Sequence, residues 1–231
     1  VPQFPDAEVN PITVSGTATV NQRLDGGTRI ITLSDISSDI SVSFDSYSLW
    51  ITAVYNITTT SAATRLCNAE CKRLEVDGLE VAASNEYQFT TAGNHTVRMM
   101  LTDKSVIPSN SFSSTNLASI IIPEGVRTLE PICMRGCSYL TSVQVPQTVT
   151  TIGYNCMASC DKLESFTFPD NITGMGYGIF SKCHNLKEVS LPRNITTLPE
   201  STLYRCYALT DIEIPISVTK IGVSAFASAG L

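Results

Sequence analysis

Residues 140–162 read LTSVQVPQTVTTIGYNCMASCDK. Val143 and Val145 alternate with polar neighbours, the pattern of a short half-buried strand. Pro146 ends that strand, because proline has no N–H with which to continue a ladder. Val149 and Ile152 predict a second extended segment closed by Gly153. Met157 and Cys160 then fall on one side of an expected short helical turn, and Leu163 begins the same order again.

The order recurs every 23 residues: at Pro123, Pro146, Pro169, Pro192 and Pro215, and at Leu117, Leu140, Leu163, Leu186 and Leu209. Cys137, Cys160, Cys183 and Cys206 keep the same frame. Three residue types held in one register indicate a solenoid, for which a period of about 20–29 residues is typical. One copy cannot bury its own apolar side. Stacked at about 4.8 Å per rung, the copies share one continuous core behind a parallel sheet.

The pattern L-x-x-[VIF]-x-[VIFL]-P-x-x-[VI]-T-x-[IL], an apolar residue and then C-x-x-L, resembles the BspA-like leucine-rich repeats over about 115 residues, Leu117 to Leu231. Such repeats occur in bacterial surface antigens and in protist surface proteins. The resemblance implies adhesion or extracellular ligand binding, with host matrix proteins or other cells as partners. The last copy departs from the pattern: FASAGL, residues 226–231, is one residue short and has Ala229 in the cysteine slot. FSSTNL, residues 112–117, is shortened in the same way, which makes 104–116 a degenerate leading copy.

Before residue 104 the 23-residue frame is absent. ITVSGTATV, ISVSFDSYSLWITAVYNIT and NEYQFTTAGNHTVRMML alternate with period two and are rich in Val, Ile, Thr and aromatics. DGG at 25–27 and AGN at 92–94 read as hairpin turns. The expected fold is therefore mostly β. An antiparallel, sandwich-like (Ig-like) domain spans 1–103, though no Cys–Trp–Cys spacing supports a true immunoglobulin domain. A leucine-rich-repeat solenoid with a parallel sheet and short helical turns spans 104–231. VDGLEV followed by YQFTTAGNHTVRMMLTD resembles the β-module that often precedes such repeats in gut Bacteroidetes surface proteins. That module is expected to cap the solenoid, covering an edge that would invite strand addition.

The 231 residues carry a net charge of −6, with 43% apolar and 16% charged residues, as in a folded protein. Residues 1–103 hold six Lys/Arg against twelve Asp/Glu, while 104–231 hold nine of each. Neither half has the basic stripe that a phosphate backbone requires, so a nucleic-acid partner is not expected. No apolar run reaches the roughly 20 residues that cross a bilayer. VPQFPDAEVN lacks the basic start and apolar segment of a secretory leader, and no Met precedes it. We read a mature or trimmed form of an exported protein, at the cell surface (lipid-anchored through a removed leader, or extracellular). The chain stops at Leu231 where a further strand would begin. Either it continues naturally, or that edge associates end to end with a second copy.

Chemistry has few candidates. Cys133 and Cys156 form a second, shorter ladder beside the four-membered one, continued by Ile179 and Thr202. Substitution by Ile179, Thr202 and Ala229 favours packing as the role of these slots. A metal site would have two ligands in each of two copies and none after, and parallel rungs set cysteines wider than the roughly 3.8 Å Cβ separation a disulfide prefers. Cys67 and Cys71 lie outside the repeats at a spacing that suits one face of a helical turn; structural thiols, a local disulfide and a metal site stay open for them. His95 reads as a solvent-facing turn residue. His184 follows Cys183, but the equivalent positions Ser138, Asp161 and Tyr207 mark a surface slot, and adjacent residues point apart. GMGYG at 174–178 lacks the strand–turn–helix setting of a dinucleotide site. Of the sequons at Asn56, Asn94, Asn171 and Asn194, the last two lie one repeat apart, where other copies read QTVT and ISVT, and read as turn residues. No enzyme, metal or cofactor is expected.

Solenoids bind through the exposed side of their stacked strands. Alternation places Ser119, Ile121, Ser142, Gln144, Ser165, Thr167, Glu188, Ser190, Asp211 and Glu213 on that side, grading from hydroxyls to carboxylates. Five rungs span only about 20 Å, small against about 800 Å² per partner. Tyr139, Tyr154, Tyr177, Tyr204 and Tyr207 lie in the turns as a separate set. The expected function is a non-enzymatic surface interaction protein with an unidentified protein or glycan partner. The alternative is a structural spacer or assembly module with no ligand of its own.

Overall fold

The computed structural model describes residues 50–231 in full and, before them, the strand backbone at 12–15, 19–25, 28–34 and 41–44. The chain divides into two compact units, Val1–Ser48 and Leu49–Leu231. In the first, β1 (Ile12–Ser15) pairs antiparallel with β4 (Ser41–Phe44), and β2 (Thr19–Asp25) with β3 (Thr28–Ser34). Asp25 lies opposite Thr28, while Gly26 and Gly27 of the expected DGG turn fall outside the described residues. These two separate strand pairs do not establish the expected sandwich-like (Ig-like) arrangement.

The second unit begins with β5 (Ile51–Ile57), β6 (Thr64–Arg65), β7 (Cys71–Val76), β8 (Leu79–Val81), β9 (Glu86–Tyr87) and β10 (Gly93–Leu101). Alternation in β5 is strict, with Ile51, Ala53, Tyr55 and Ile57 buried and the residues between them half-buried. AGN at 92–94 is no hairpin turn. Gly93 and Asn94 sit inside β10, paired with Ile57 and Asn56 of β5, because the partner strand is not the one next in sequence.

The repeats supply β11 (Val106–Ile107), β12 (Leu117–Ile121), β13 (Thr128–Leu129), β14 (Ser142–Gln144), β15 (Thr151–Ile152), β16 (Ser165–Thr167), β17 (Gly174–Met175), β18 (Glu188–Ser190), β19 (Thr197–Leu198) and β20 (Lys220–Ile221). Two parallel ladders result. The first pairs β12 with β14 and β16 with β18; the second runs β11–β13–β15–β17 and then β19–β20. The fifth copy forms no strand at 211–213, so the first ladder ends at β18.

The breaks have local causes. Gly153, Gly176 and Gly222 each donate their N–H to the previous rung, to Leu129, Ile152 and Leu198. A Cβ at Gly153 would stand 2.7 Å from the carbonyl carbon of Glu130, closer than real Cβ atoms approach. Pro199 occupies this slot between β17 and β19 and has no N–H to donate. The second ladder opens there, into a cleft lined by Ile172, Met175, Ile195 and Pro199. Between β14 and β16 the inward pair changes from Val143 and Val145 to Phe166 and Phe168, which cluster with Phe180 at centroid distances of 5.0 and 5.6 Å.

No helix occurs among the described residues, and the expected helical turns are replaced by a third ladder. Each turn carries two left-handed residues four apart: Asn155 (φ 50°) and Ser159 (60°), Gly178 (64°) and Lys182 (64°), Ser201 (54°) and Arg205 (60°). A left-handed residue interrupts an α-helix at once and costs a non-glycine about 1–2 kcal/mol. The turns offset that cost by bonding between rungs. Asn155, Met157 and Ser159 donate their N–H groups to the carbonyls of Tyr177, Ile179 and Ser181 at 2.8–3.0 Å, and every turn from Ile132 to Arg205 repeats the scheme.

At the N-terminal end this third ladder leaves carbonyls of the leading copy facing outward. Asn68 N–H donates to Ser111 O (2.7 Å), its Nδ2 to Asn110 O (2.7 Å), and Arg65 Nη2 to Ser113 O (2.9 Å). The cores merge as well, so that Tyr55, Leu66 and Phe89 join Phe112, Leu117 and the buried residues of the repeats in one cluster.

Candidate interaction surface

β5 pairs antiparallel with β12, and the sheet runs without interruption in the order β14-β12-β5-β10-β7-β8. Directly opposed residues in a ladder share a face. The register therefore sets Gln144, Ile121, Thr52, Arg98, Glu75 and Glu80 in one row across six strands. On the other face Val143, Ile120, Ala53, Val97 and Val76 form the matching inward row. The outward side of the repeat strands is thus continued by the strands that precede them.

The expected ligand-facing residues occupy this surface. Ile121, Ser142, Gln144, Ser165, Thr167, Glu188 and Ser190 are exposed, with inward residues between them; Ser119 is half-buried beside β5. Asp211 and Glu213 are exposed too, although no strand positions them. Glu188, Asp211 and Glu213 form no ion pair among the described residues, and they line an open groove of about 1030 Å³ between β18 and 210–215. A smaller groove of about 350 Å³ lies between β14 and β16.

Thr52, Val54 and Arg98 were invisible as surface residues from the sequence, because the β5–β12 pairing joins segments some 60 residues apart that share no period. Arg98 bonds the buried carboxylate of Glu75 at 2.6 Å, and Trp50 lies under both Arg98 and Arg73, 4.7 and 5.2 Å from the ring centroid. Burying a carboxylate needs such a partner.

The cysteines lie elsewhere. Cys137, Cys160, Cys183 and Cys206 are fully buried, and each thiol donates to a carbonyl one rung back: Phe112 (3.0 Å), Met134 (3.3 Å), Met157 (3.1 Å) and Phe180 (3.3 Å). Burial pushes the Cys137 thiol up to about 11 and that of Cys206 to about 12, which leaves no useful thiolate near neutral pH. Cys67 and Cys71 are not on a helix. Cys71 begins β7, and the two thiols bond separately to the carbonyls of Ala69 (3.3 Å) and Arg73 (2.9 Å).

His95 is no turn residue. It lies in β10, half-buried, with Nδ1 2.7 Å from the Asp77 carboxylate, Nε2 3.0 Å from Thr91 O and its ring on Phe89. The hydrogen bond to Asp77 raises its pKa. His184 pairs with Asp161 across one rung (2.8 Å) and stacks on Tyr207, while the neighbouring Cys183 thiol is turned into the core. Tyr154 and Tyr177 stack at 4.9 Å and 4°, Tyr139 carries Lys162 at 4.8 Å, and Tyr204 carries Arg205 at 5.1 Å. The turn tyrosines thus pack on neighbours. Asn56 and Asn94 bond each other from β5 and β10, and Asn171 reaches back to Gln147 O (2.9 Å). Among the described residues no group of three or more His, Cys, Asp or Glu could hold a metal, and no helix is long and apolar enough to cross a membrane.

Residues 105–231 match six copies of the model for the BspA-type leucine-rich repeat region. No curated protein matches the chain. Among solved structures, a leucine-rich repeat protein of T. pallidum is 20% identical over 53% of this chain and 69% of its own, with a TM-score of 0.45. A leucine-rich cell surface protein of Faecalibacterium prausnitzii is 21% identical over 48% of this chain and 51% of its own, TM-score 0.28. A leucine-rich repeat protein of Bacteroides ovatus is 17% identical over 93% of this chain and 56% of its own, TM-score 0.37. The chain spans about half the length of the last two.

Proposed function

We propose, for a chain that belongs to the BspA-type leucine-rich repeat family, that it is a non-enzymatic interaction protein of the cell surface or extracellular space. The outward face of its sheet takes a protein partner in adhesion or ligand binding. The observation that carries this reading is the continuity of that face from β8 to β14. The two repeat strands β12 and β14 alone would be a narrow face; β5, β10, β7 and β8 add about 4.8 Å each, and β16 and β18 follow as a separate pair, which brings the face nearer the size of a standard interface.

The chemistry of the face favours a partner segment carrying lysine or arginine. Glu188, Asp211 and Glu213 stand exposed and unpaired around a groove whose basic lining residues, Lys187 and Arg193, pair with Glu164 and Asp170, next to uncharged hydrogen-bonding residues from Ser142 to Ser190. Such charges govern encounter rate and partner choice more than affinity. The strands from β5 to β10 serve in this reading as the part of the chain that caps the solenoid, with β5 on the edge of β12 and Asn68 and Arg65 on the first turn.

Surface-immobilised extracellular-matrix proteins and glycans, probed with the purified chain, test the proposal. Binding to a protein that weakens at least tenfold in the Glu188→Lys/Asp211→Lys/Glu213→Lys variant is expected. Binding that is indifferent to those three substitutions, or absent throughout, would sink it.

A further inference from the structure

We infer that Cys133 and Cys156 form a disulfide site, a covalent staple between two adjacent rungs inside the solenoid core. Their Sγ atoms lie 3.1 Å apart, and both residues are fully buried. The slot they share runs Ser111, Cys133, Cys156, Ile179, Thr202 and Ala225 down the turn ladder. Ser111 and Thr202 turn their hydroxyls back to the carbonyls of Pro108 (2.6 Å) and Pro199 (2.8 Å). Cys133 and Cys156 instead face each other. The four thiols of the longer ladder point at carbonyls one rung back, so only this pair is presented sulfur to sulfur.

The backbone favours closure. Ile132 and Met134 donate to Tyr154 O (2.9 Å) and Cys156 O (2.8 Å), which fixes the two rungs side by side. A rung spacing of about 4.8 Å falls within the roughly 4.4–6.8 Å Cα separation that disulfides span. Closing the sulfurs from 3.1 Å to about 2.05 Å turns the two side chains toward each other and draws the Cβ atoms in from the rung spacing of about 4.8 Å, which by itself is wider than a disulfide prefers.

The oxidant is a disulfide of the glutathione or thiol-oxidoreductase class, met in an oxidising compartment. One cysteine thiolate attacks that disulfide to give a mixed disulfide and release one thiol. The second cysteine thiolate then displaces the other thiol. Two electrons and both thiol protons leave with the reduced partner, and the Cys133–Cys156 bond remains. Burial raises the Cys133 pKa and excludes the oxidant, so the bond forms as the rungs assemble, before the core closes.

Refolding the full chain from denaturant in a mixture of reduced and oxidised glutathione tests this. Thiols are then alkylated under denaturing conditions, and the protein is weighed and peptide-mapped. Six free thiols out of eight, a mapped link between Cys133 and Cys156, and recovery of all eight after dithiothreitol are expected, with a higher Tm for the linked form. The Cys156→Ala variant should keep all its remaining thiols free. Eight free thiols in the refolded wild type, a hydrogen-bonded thiol pair only, would overturn the inference. So would a link that maps to any other pair, and both results are read on the wild type, whether or not the variant folds.

Discussion

Every repeat cysteine answers a local bonding need. Cys160 stands where spacing alone put a small buried residue, and the structure adds that its thiol satisfies Met134 O. That contact was illegible because the acceptor lies 26 residues away in another rung. His95 shows the opposite limit: its sequence neighbours suggest a turn, but it lies opposite Tyr55 in the β10–β5 ladder, and its ring meets a carboxylate 18 residues earlier. Its raised pKa, caused chiefly by the Asp77 bond, sets a pH dependence. The protonated pair stabilises the fold fully below the unfolded histidine value of about 6.5, and the contribution is lost as pH rises through the higher folded pKa. NMR titration of the His95 ring should give a pKa above about 6.5. Asp77→Asn should bring it down; no change in that variant would contradict the assignment.

The short strands and turns were legible wherever one residue type repeats, and illegible where hydrogen bonds cross rungs. Val143, Pro146 and Ile152 announce strand, stop and strand; nothing in YNCMASC announces left-handed Asn155 and Ser159. Apolar spacing is the same for a helical turn and for this ladder, and only the backbone bonds to Tyr177, Ile179 and Ser181 distinguish them. Gly153 sits where rungs press closest. Gly153→Ala should lower stability by about 1–3 kcal/mol through the clash with Glu130 and Pro131, read from denaturant melts. Asn68 ties β6's following loop to the first turn through two bonds; Asn68→Ala keeps the backbone bond to Ser111 O and removes the Nδ2 bond to Asn110 O, which should cost about 1 kcal/mol. Amide exchange should then quicken around 110–116 more than around 178–186; uniform exchange would argue against a local tie.

At the scale of the molecule, the repeats were evident from their 23-residue frame, while the join to the preceding strands was not. β5 and β10 carry no repeat signature, so the sequence offers no register for pairing β5 with β12. That pairing continues the outward face of β12 and β14 across four further strands. The face, with Ile121 and Thr52 near its middle and carboxylates at its C-terminal side, is the centre of the functional account. Its most direct test measures binding to a partner protein found in the matrix screen. Two variants are compared: Ile121→Asp on the face, and Tyr154→Ser/Tyr177→Ser in the turns. A loss of at least tenfold in affinity for Ile121→Asp, with the turn variant unchanged, is the predicted result. The reverse pattern, binding lost with the tyrosines and kept with Ile121→Asp, would contradict the account.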